Sequence, residues 1–210
     1  MRLKKTLLNL LGQVRLYSLI DLILLIIAIK ADNYQFFGII FLHLGFLLFL
    51  EHNHKHKYRM PFPKHLWVLL ILTGIVLYQS FFVIGFLICS FLYTKKNLSN
   101  FSPFSPFLRG LQYFFLVAGV IGFQHPISFI AGGLMMLRNF AGDLRDITKD
   151  KKEKMKTLPI VLGFSKDIRY IHLAFLFITT FVWWNISNIS IVWLFVTYLI
   201  QIVSYNLTPR

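Results

Sequence analysis

The stretch "LWVLLILTGIVLYQSFFVIGFLICSFLYT", residues 66 to 94, decides how often this chain crosses an apolar layer. A helix rises 1.5 Å per residue, so these 29 residues as one helix would reach about 43 Å, against a hydrocarbon core of about 30 Å. A steep tilt is one solution, and two short helices turning near Tyr78, Gln79 and Ser80 are the other. Charge chooses between them. The pair puts the basic clusters at 55 to 64 and at Lys95 and Lys96 on the same side, whereas a single span separates them. With the pair, Arg2, Lys4, Lys5 and Arg15, the loops 51 to 65, 95 to 109 and 143 to 169, and Arg210 all face one way. Of the 22 Lys and Arg residues, only Lys30 then falls on the opposite side, Arg138 lying within the 127 to 142 run. Basic loops stay on the cytoplasmic side of a membrane, so both termini and the large polar loops are expected there.

The other apolar runs, near 16 to 30, 34 to 50, 107 to 123, 127 to 142, 168 to 184 and 189 to 205, bring the expected total to about eight helices. The chain is 57% hydrophobic with 17% aromatics, and its mean hydropathy is +0.66. Those values exceed what a soluble core needs. The expected fold class is therefore an all-α polytopic transmembrane helical bundle, a single domain over residues 1 to 210. The N-terminal "MRLKKTLLNLLG" is basic and amphipathic, but the repeated re-entry into the membrane argues against a cleaved leader. One cysteine, Cys89, allows neither an internal disulfide nor a cysteine metal site. The formal net charge of +14 suits juxtamembrane lysines facing anionic membrane lipids. Nucleic acid is not an expected partner, because no soluble domain would carry it.

Negative charge is scarce and concentrated. In "NFAGDLRDITKDKKEKMKTLP", residues 139 to 159, three of the chain's eight acidic residues fall within eight positions. Asp143, Asp146 and Asp150 are spaced i, i+3, i+7, an arc of about 60° on one continuous helix, with Asn139 on the same stripe. Close carboxylates repel and need a compensating cation. Hard oxygen ligands suit Mg²⁺, which takes one or two carboxylates and is completed by substrate phosphates. Lys149, Lys151, Lys152, Lys154 and Lys156 suit the remaining phosphate oxygens. The competing reading pairs the aspartates with those lysines on a solvated helix end.

"RNFAGDLRDITKDKKEKMKTLPIVLG" resembles the second aspartate-rich motif of the UbiA superfamily of intramembrane prenyltransferases, through Arg138, Asp143, Asp146, Asp150, Lys156, Thr157, Leu158, Pro159 and Gly163. Arg15 before the first helix, "YTKKNL" with Lys95 and Lys96, and "RMPFPKH" resemble further family features in the family's order along the chain. The resemblance implies a helical bundle around a central cavity that holds a polyprenyl diphosphate, clamped by Mg²⁺ between two aspartate-rich loops. It implies transfer of the isoprenyl group to a lipophilic acceptor, an aromatic or a glycerol-ether lipid. Asp143, Asp146 and Asp150 are the expected catalytic residues. The expected metal ligands are those three with Asn139 and Glu51. Asn53, Arg59, Lys95, Lys96, Arg138, Lys156 and Arg15 are the expected substrate-binding residues. The expected location is a prokaryotic plasma membrane.

The chain departs from that family where the first motif belongs. "EHNHKHKYRMPFPKH", from residue 51, puts His52, Lys55 and Arg59 at the places of three aspartates and keeps Glu51 and Asn53 as oxygen ligands. One mechanism keeps Mg²⁺ on the second motif with Glu51 and Asn53 as a residual clamp, and the other lets the cationic loop bind the diphosphate directly. The alternative to an enzyme is a catalytically inactive relative that binds a lipid, a quinone or a partner. A transporter would need more polar residues near mid-membrane. His52, His54 and His56 alternate, which suits a transition-metal site with Glu51, but the neighbouring lysines and arginine favour a solvated or phosphate-facing loop. His43 and His172 are expected to be hydrogen-bonded inside the bundle. Asp21 lies near mid-membrane depth, which makes it either a functional site or one half of a helix-neighbour pair.

Overall fold

The computed structural model describes residues 14–53, 63, 65–97 and 101–207. It is all-helical, with no strand among the described residues. Eight of its helices have twelve residues or more: α1 (Leu16–Ala28), α2 (Asn33–Asn53), α3 (Leu66–Tyr78), α4 (Val83–Thr94), α5 (Ser105–Ile121), α6 (Pro126–Arg145), α9 (Ile171–Ser187) and α10 (Ile191–Leu207). The short α7 (Ile147–Lys152) and α8 (Leu158–Val161) follow α6, and two 3₁₀ turns, Lys95–Asn97 and Ser102–Phe104, lie between α4 and α5.

The 66 to 94 stretch is two helices. Gln79 ends α3 in the left-handed conformation, φ 50°, with its N–H on the Ile75 carbonyl, and Val83 then donates to the Ser80 carbonyl to start α4. Proline marks the starts elsewhere. Pro106, Pro126 and Pro159 each sit in the first turn of a helix, where the missing N–H costs nothing. Two segments, Asn33–Asn53 and Ser102–Ile121, are long and apolar enough to cross a membrane by length and composition, which points to membrane association. The five other apolar helices are shorter. At 1.5 Å per residue, α3 and α4 are only about 20 and 18 Å long.

The chain's contacts divide it into two compact units: residues 1–79 with 180–210, and residues 80–179. In the first unit, α2 and α3 form a hairpin closed on glycine. A Cβ on Gly74 would stand 2.9 Å from the Leu42 amide nitrogen, and one on Gly38 would stand 2.6 Å from that of Tyr78. Only glycine lets the two backbones approach so closely, which is the small-residue packing common between apolar helices. In the same unit α1 packs on α10, with Tyr17 and Tyr205 edge to face at 5.3 Å.

The second unit repeats the device. Its hairpin is α5 and α6, and a Cβ on Gly110 would stand 2.8 Å from the Gly132 carbonyl oxygen. Phe114 closes the turn of that hairpin against Phe115, Phe123 and Phe129, at centroid distances of 5.1 to 5.5 Å. Helix α4 packs on α5, where the Phe115 ring covers Gly85. Helix α9 begins in this unit and ends in the first.

Candidate functional site

The aspartate stripe does not run along one helix. Helix α6 ends at Arg145, Asp146 sits at the junction with φ −109° and ψ 17°, and Asp150 rides on the separate α7. The segment 163 to 168 explains the break. Ile168 donates its N–H to the Leu144 carbonyl, and Asp167 Oδ1 accepts from the Thr148 N–H at 2.7 Å. These contacts satisfy a carbonyl at the end of α6 and an N–H at the start of α7, the groups a helix terminus leaves open. The 60° arc expected for a continuous helix is therefore replaced by three differently placed carboxylates.

Asp143 is 3% exposed. Lys96, from the 3₁₀ turn after α4, donates to its Oδ1 at 2.6 Å, and Ser105, at the start of α5, donates to its Oδ2 at 3.0 Å. Burial opposes the Lys96 ammonium, but Asp143, then Tyr93 and Asp150, outweigh it and hold its pKa above the ordinary lysine range. One turn earlier on α6, Asn139 donates through Nδ2 to the Tyr93 hydroxyl at 3.1 Å. Arg109 lies under this layer, its guanidinium 5.8 Å from the Tyr93 ring and 5.3 Å from the Tyr113 ring. It also donates to Gln112 Oε1 at 2.6 Å, and Gln112 Nε2 donates to Ser90 Oγ at 2.7 Å.

Asp146 is the most open of the three and is held by its neighbour Arg145 through both carboxylate oxygens. Burial works to raise its pKa, but the hydrogen bond and charge of Arg145 outweigh that and lower it. Asp150 is the opposite case. Burial, with Asp143 and Asp146 as like charges, pushes its carboxyl up to about 6 against the opposing charge of Lys96. Its Oδ2 is buried and completes no hydrogen bond. Thr157 stands close enough to favour the charged form, yet its own hydroxyl is equally unsatisfied. Asn139 Oδ1 and Ser102 Oγ are also buried without a partner.

The remaining candidates spread out. Lys95 covers the Phe91 ring at 5.0 Å, Arg138 is buried on α6, and Lys156 is exposed between α7 and α8. In the first unit, Arg15 starts α1 in the left-handed conformation, φ 48°, and Glu51 is half-buried. Asn53 uses its side-chain Nδ2 to cap the Phe49 carbonyl at 2.8 Å, and His52 stands 6.5 Å from His65, ring to ring. Arg59, His54 and His56 lie outside the described residues. His43 is fully buried, and His172 is buried against Gly142.

Asp21, also fully buried, accepts from the Thr180 hydroxyl at 3.0 Å, and Thr180 in turn accepts from Gln201 Nε2 at 2.6 Å. Sequence reasoning missed Ser105 and the chain from Arg109 through Gln112 to Ser90. The available signal was an Arg and a Gln three residues apart in an otherwise apolar helix, neighbours on one face.

A magnesium centre shared by the three aspartates does not fit this arrangement. Asp143 has an ammonium on one oxygen and a hydroxyl on the other, and Asp146 is bound on both by Arg145. Of the stripe's own residues, Asp150 and Asn139 keep an open oxygen, beside the hydroxyls of Ser102 and Thr157. Among the described residues no three His, Cys, Asp or Glu side chains converge as a metal site. No family model matches the chain, and comparison with curated proteins and with solved structures returned no match.

Proposed function

We propose that this chain is an integral membrane protein that binds an isoprenyl diphosphate and transfers its isoprenyl group to a lipophilic acceptor, an aromatic or a glycerol-ether lipid. The observation that carries the reading is convergence. "YTKK" and "RNFAGDLRD", two stretches that resemble separate features of the UbiA superfamily, meet in space through Lys96 on Asp143 and Tyr93 on Asn139. In this reading the eight long helices span the bilayer, with the polar segments after α2, α4 and α6 on the cytoplasmic side. The exposed apolar faces of α3 and α10, among them Leu69, Leu72 and Val76, and Trp193, Phe195 and Leu199, then face lipid. Helices as short as α3 and α4 are accommodated by local thinning of the bilayer.

The chemistry is cleavage of the bond from the allylic carbon to the diphosphate oxygen, with the electron pair leaving on that oxygen. Cationic groups fixed where this charge develops lower the barrier. Lys96 is the buried candidate, and Lys95 and Lys156 are the accessible ones. The allylic cation is then captured by the acceptor, which loses a proton. Isolated membranes containing the protein, given labelled geranylgeranyl diphosphate and membrane lipid extract, test this. Labelled lipid that forms with the wild type and falls at least about a hundredfold in Asp143→Ala supports it; no product with any acceptor class rejects it.

A second reading has one observation in its favour. Asp143 is locked between Lys96 and Ser105, the arrangement expected of a site that has exchanged catalysis for holding a lipid, a quinone or a partner protein. Mass spectrometry of lipids that co-purify with the chain separates the two, since a retained lipid without turnover favours binding alone.

A further inference from the structure

We infer that the aspartate cluster of this chain is neutralised from within, Lys96 standing as its resident counter-ion, so that Asp143 and Asp146 take up no divalent metal. This deepens the proposed function, because a diphosphate bound here would meet a fixed ammonium instead of a metal ion.

Three observations support it independently of the family resemblance. Lys96 reaches Asp143 from 47 residues away, and its side chain is only 16% exposed, so the contact is built into the packing of α4 on α5 and of α5 on α6. A surface lysine would give way to a divalent ion at little cost, whereas an ammonium this largely covered has exchanged much of its hydration for this carboxylate. Second, Ser105 fills the other oxygen of Asp143, and Arg145 holds both oxygens of Asp146. Ligation by Mg²⁺ would have to break a buried ion pair and a two-point arginine clamp, and bidentate Arg–carboxylate pairs are among the stronger charged contacts. Third, the charge of Lys96 also favours the ionised form of Asp150, so one ammonium offsets two carboxylates.

Mn²⁺, which paramagnetic resonance detects when free, is the probe. It is titrated into the full chain in detergent micelles as wild type, Lys96→Met, Lys96→Arg and Lys96→Met with Asp143→Asn. Wild type and Lys96→Arg are expected to bind no more Mn²⁺ than empty micelles. Lys96→Met is expected to gain one saturable site, at least about tenfold tighter than any binding by the wild type, and the double variant is expected to lose it. A saturable site in the wild type that disappears in Asp143→Asn overturns the inference, and so does a folded Lys96→Met that binds no Mn²⁺. Thermal unfolding of the wild type alone gives a second reading should Lys96→Met fail to fold. MgCl₂ and NaCl at matched ionic strength are expected to give the same unfolding temperature, and a Mg²⁺-specific rise that Asp143→Asn abolishes overturns the inference. No prenyl substrate is present in either experiment, so their failure leaves prenyl transfer standing, and a chain without transfer activity can still pass them.

Discussion

Each unit of this protein has a glycine-closed helix hairpin and buries aspartate, and Asp21 in the first is treated differently from Asp143 in the second. In the first unit Asp21 takes a hydroxyl from Thr180, which is itself tied to Gln201, so polar side chains of α1, α9 and α10 are joined into one chain of hydrogen bonds. In the second unit Asp143 takes an ammonium from Lys96, with Arg145 and Asp146 paired beside it and Asp150 left under strain. A hydroxyl that both donates and accepts holds helices in register with modest electrostatic stakes. A buried ion pair raises the stakes, because removing either partner strands a charge in a medium that solvates it poorly.

The largest expected effect tests that contrast directly. Lys96→Met should destabilise the folded chain by about 3 to 5 kcal/mol, and adding Asp143→Asn should recover most of it. Denaturant unfolding in micelles measures both, and equal losses in the single and double variants would show that the lysine matters for packing and not for charge.

Asp150→Asn should act in the opposite direction. The folded carboxyl, at about 6, lies above the ordinary value of 3.8, so the folded state holds a proton that the unfolded chain has released between those values. Its contribution to stability therefore falls as pH rises through that window and is fully unfavourable above it. The variant should exceed the wild type by of order 2 kcal/mol near neutral pH, with the gap closing towards pH 4. Unfolding midpoints measured across that range decide it, and a gap that does not vary with pH would contradict the account.

The hairpins, by contrast, should respond alike. Gly110→Ala and Gly74→Ala each force a methyl against unyielding backbone and should cost about 1 to 3 kcal/mol. Gly133→Ala, one residue from the contact and in open space, should be neutral or stabilise by up to about 1 kcal/mol. The smallest effect is Thr180→Ser, which keeps the hydroxyl between Asp21 and Gln201 and should change stability by less than about 1 kcal/mol. A larger loss would mean that the threonine methyl, and not the hydrogen bond, holds the first unit together.

How much of this was legible in the sequence follows from the range of the forces involved. The break at Tyr78, Gln79 and Ser80 was readable because an apolar run of that length, flanked by cations, has few physical solutions. The aspartate stripe was misread as continuous, since the Asp167 contact that ends it comes from a residue 19 positions after Thr148. The lysines were visible, but nothing local distinguishes Lys96, which finds Asp143, from Lys95, which covers a phenyl ring. The glycine contacts depend on a facing helix, and periodicity along one segment carries no record of its partner.

The division of α9 between the units has a consequence for how the chain is made. Because residues 80–179 interrupt the first unit, Asp21 leaves the ribosome 159 residues before Thr180, and Gln201 follows later still. The second unit has all of its sequence available while the first still lacks its closing helices. Over that interval the early helices present a carboxylate whose hydroxyl partner has yet to be synthesised.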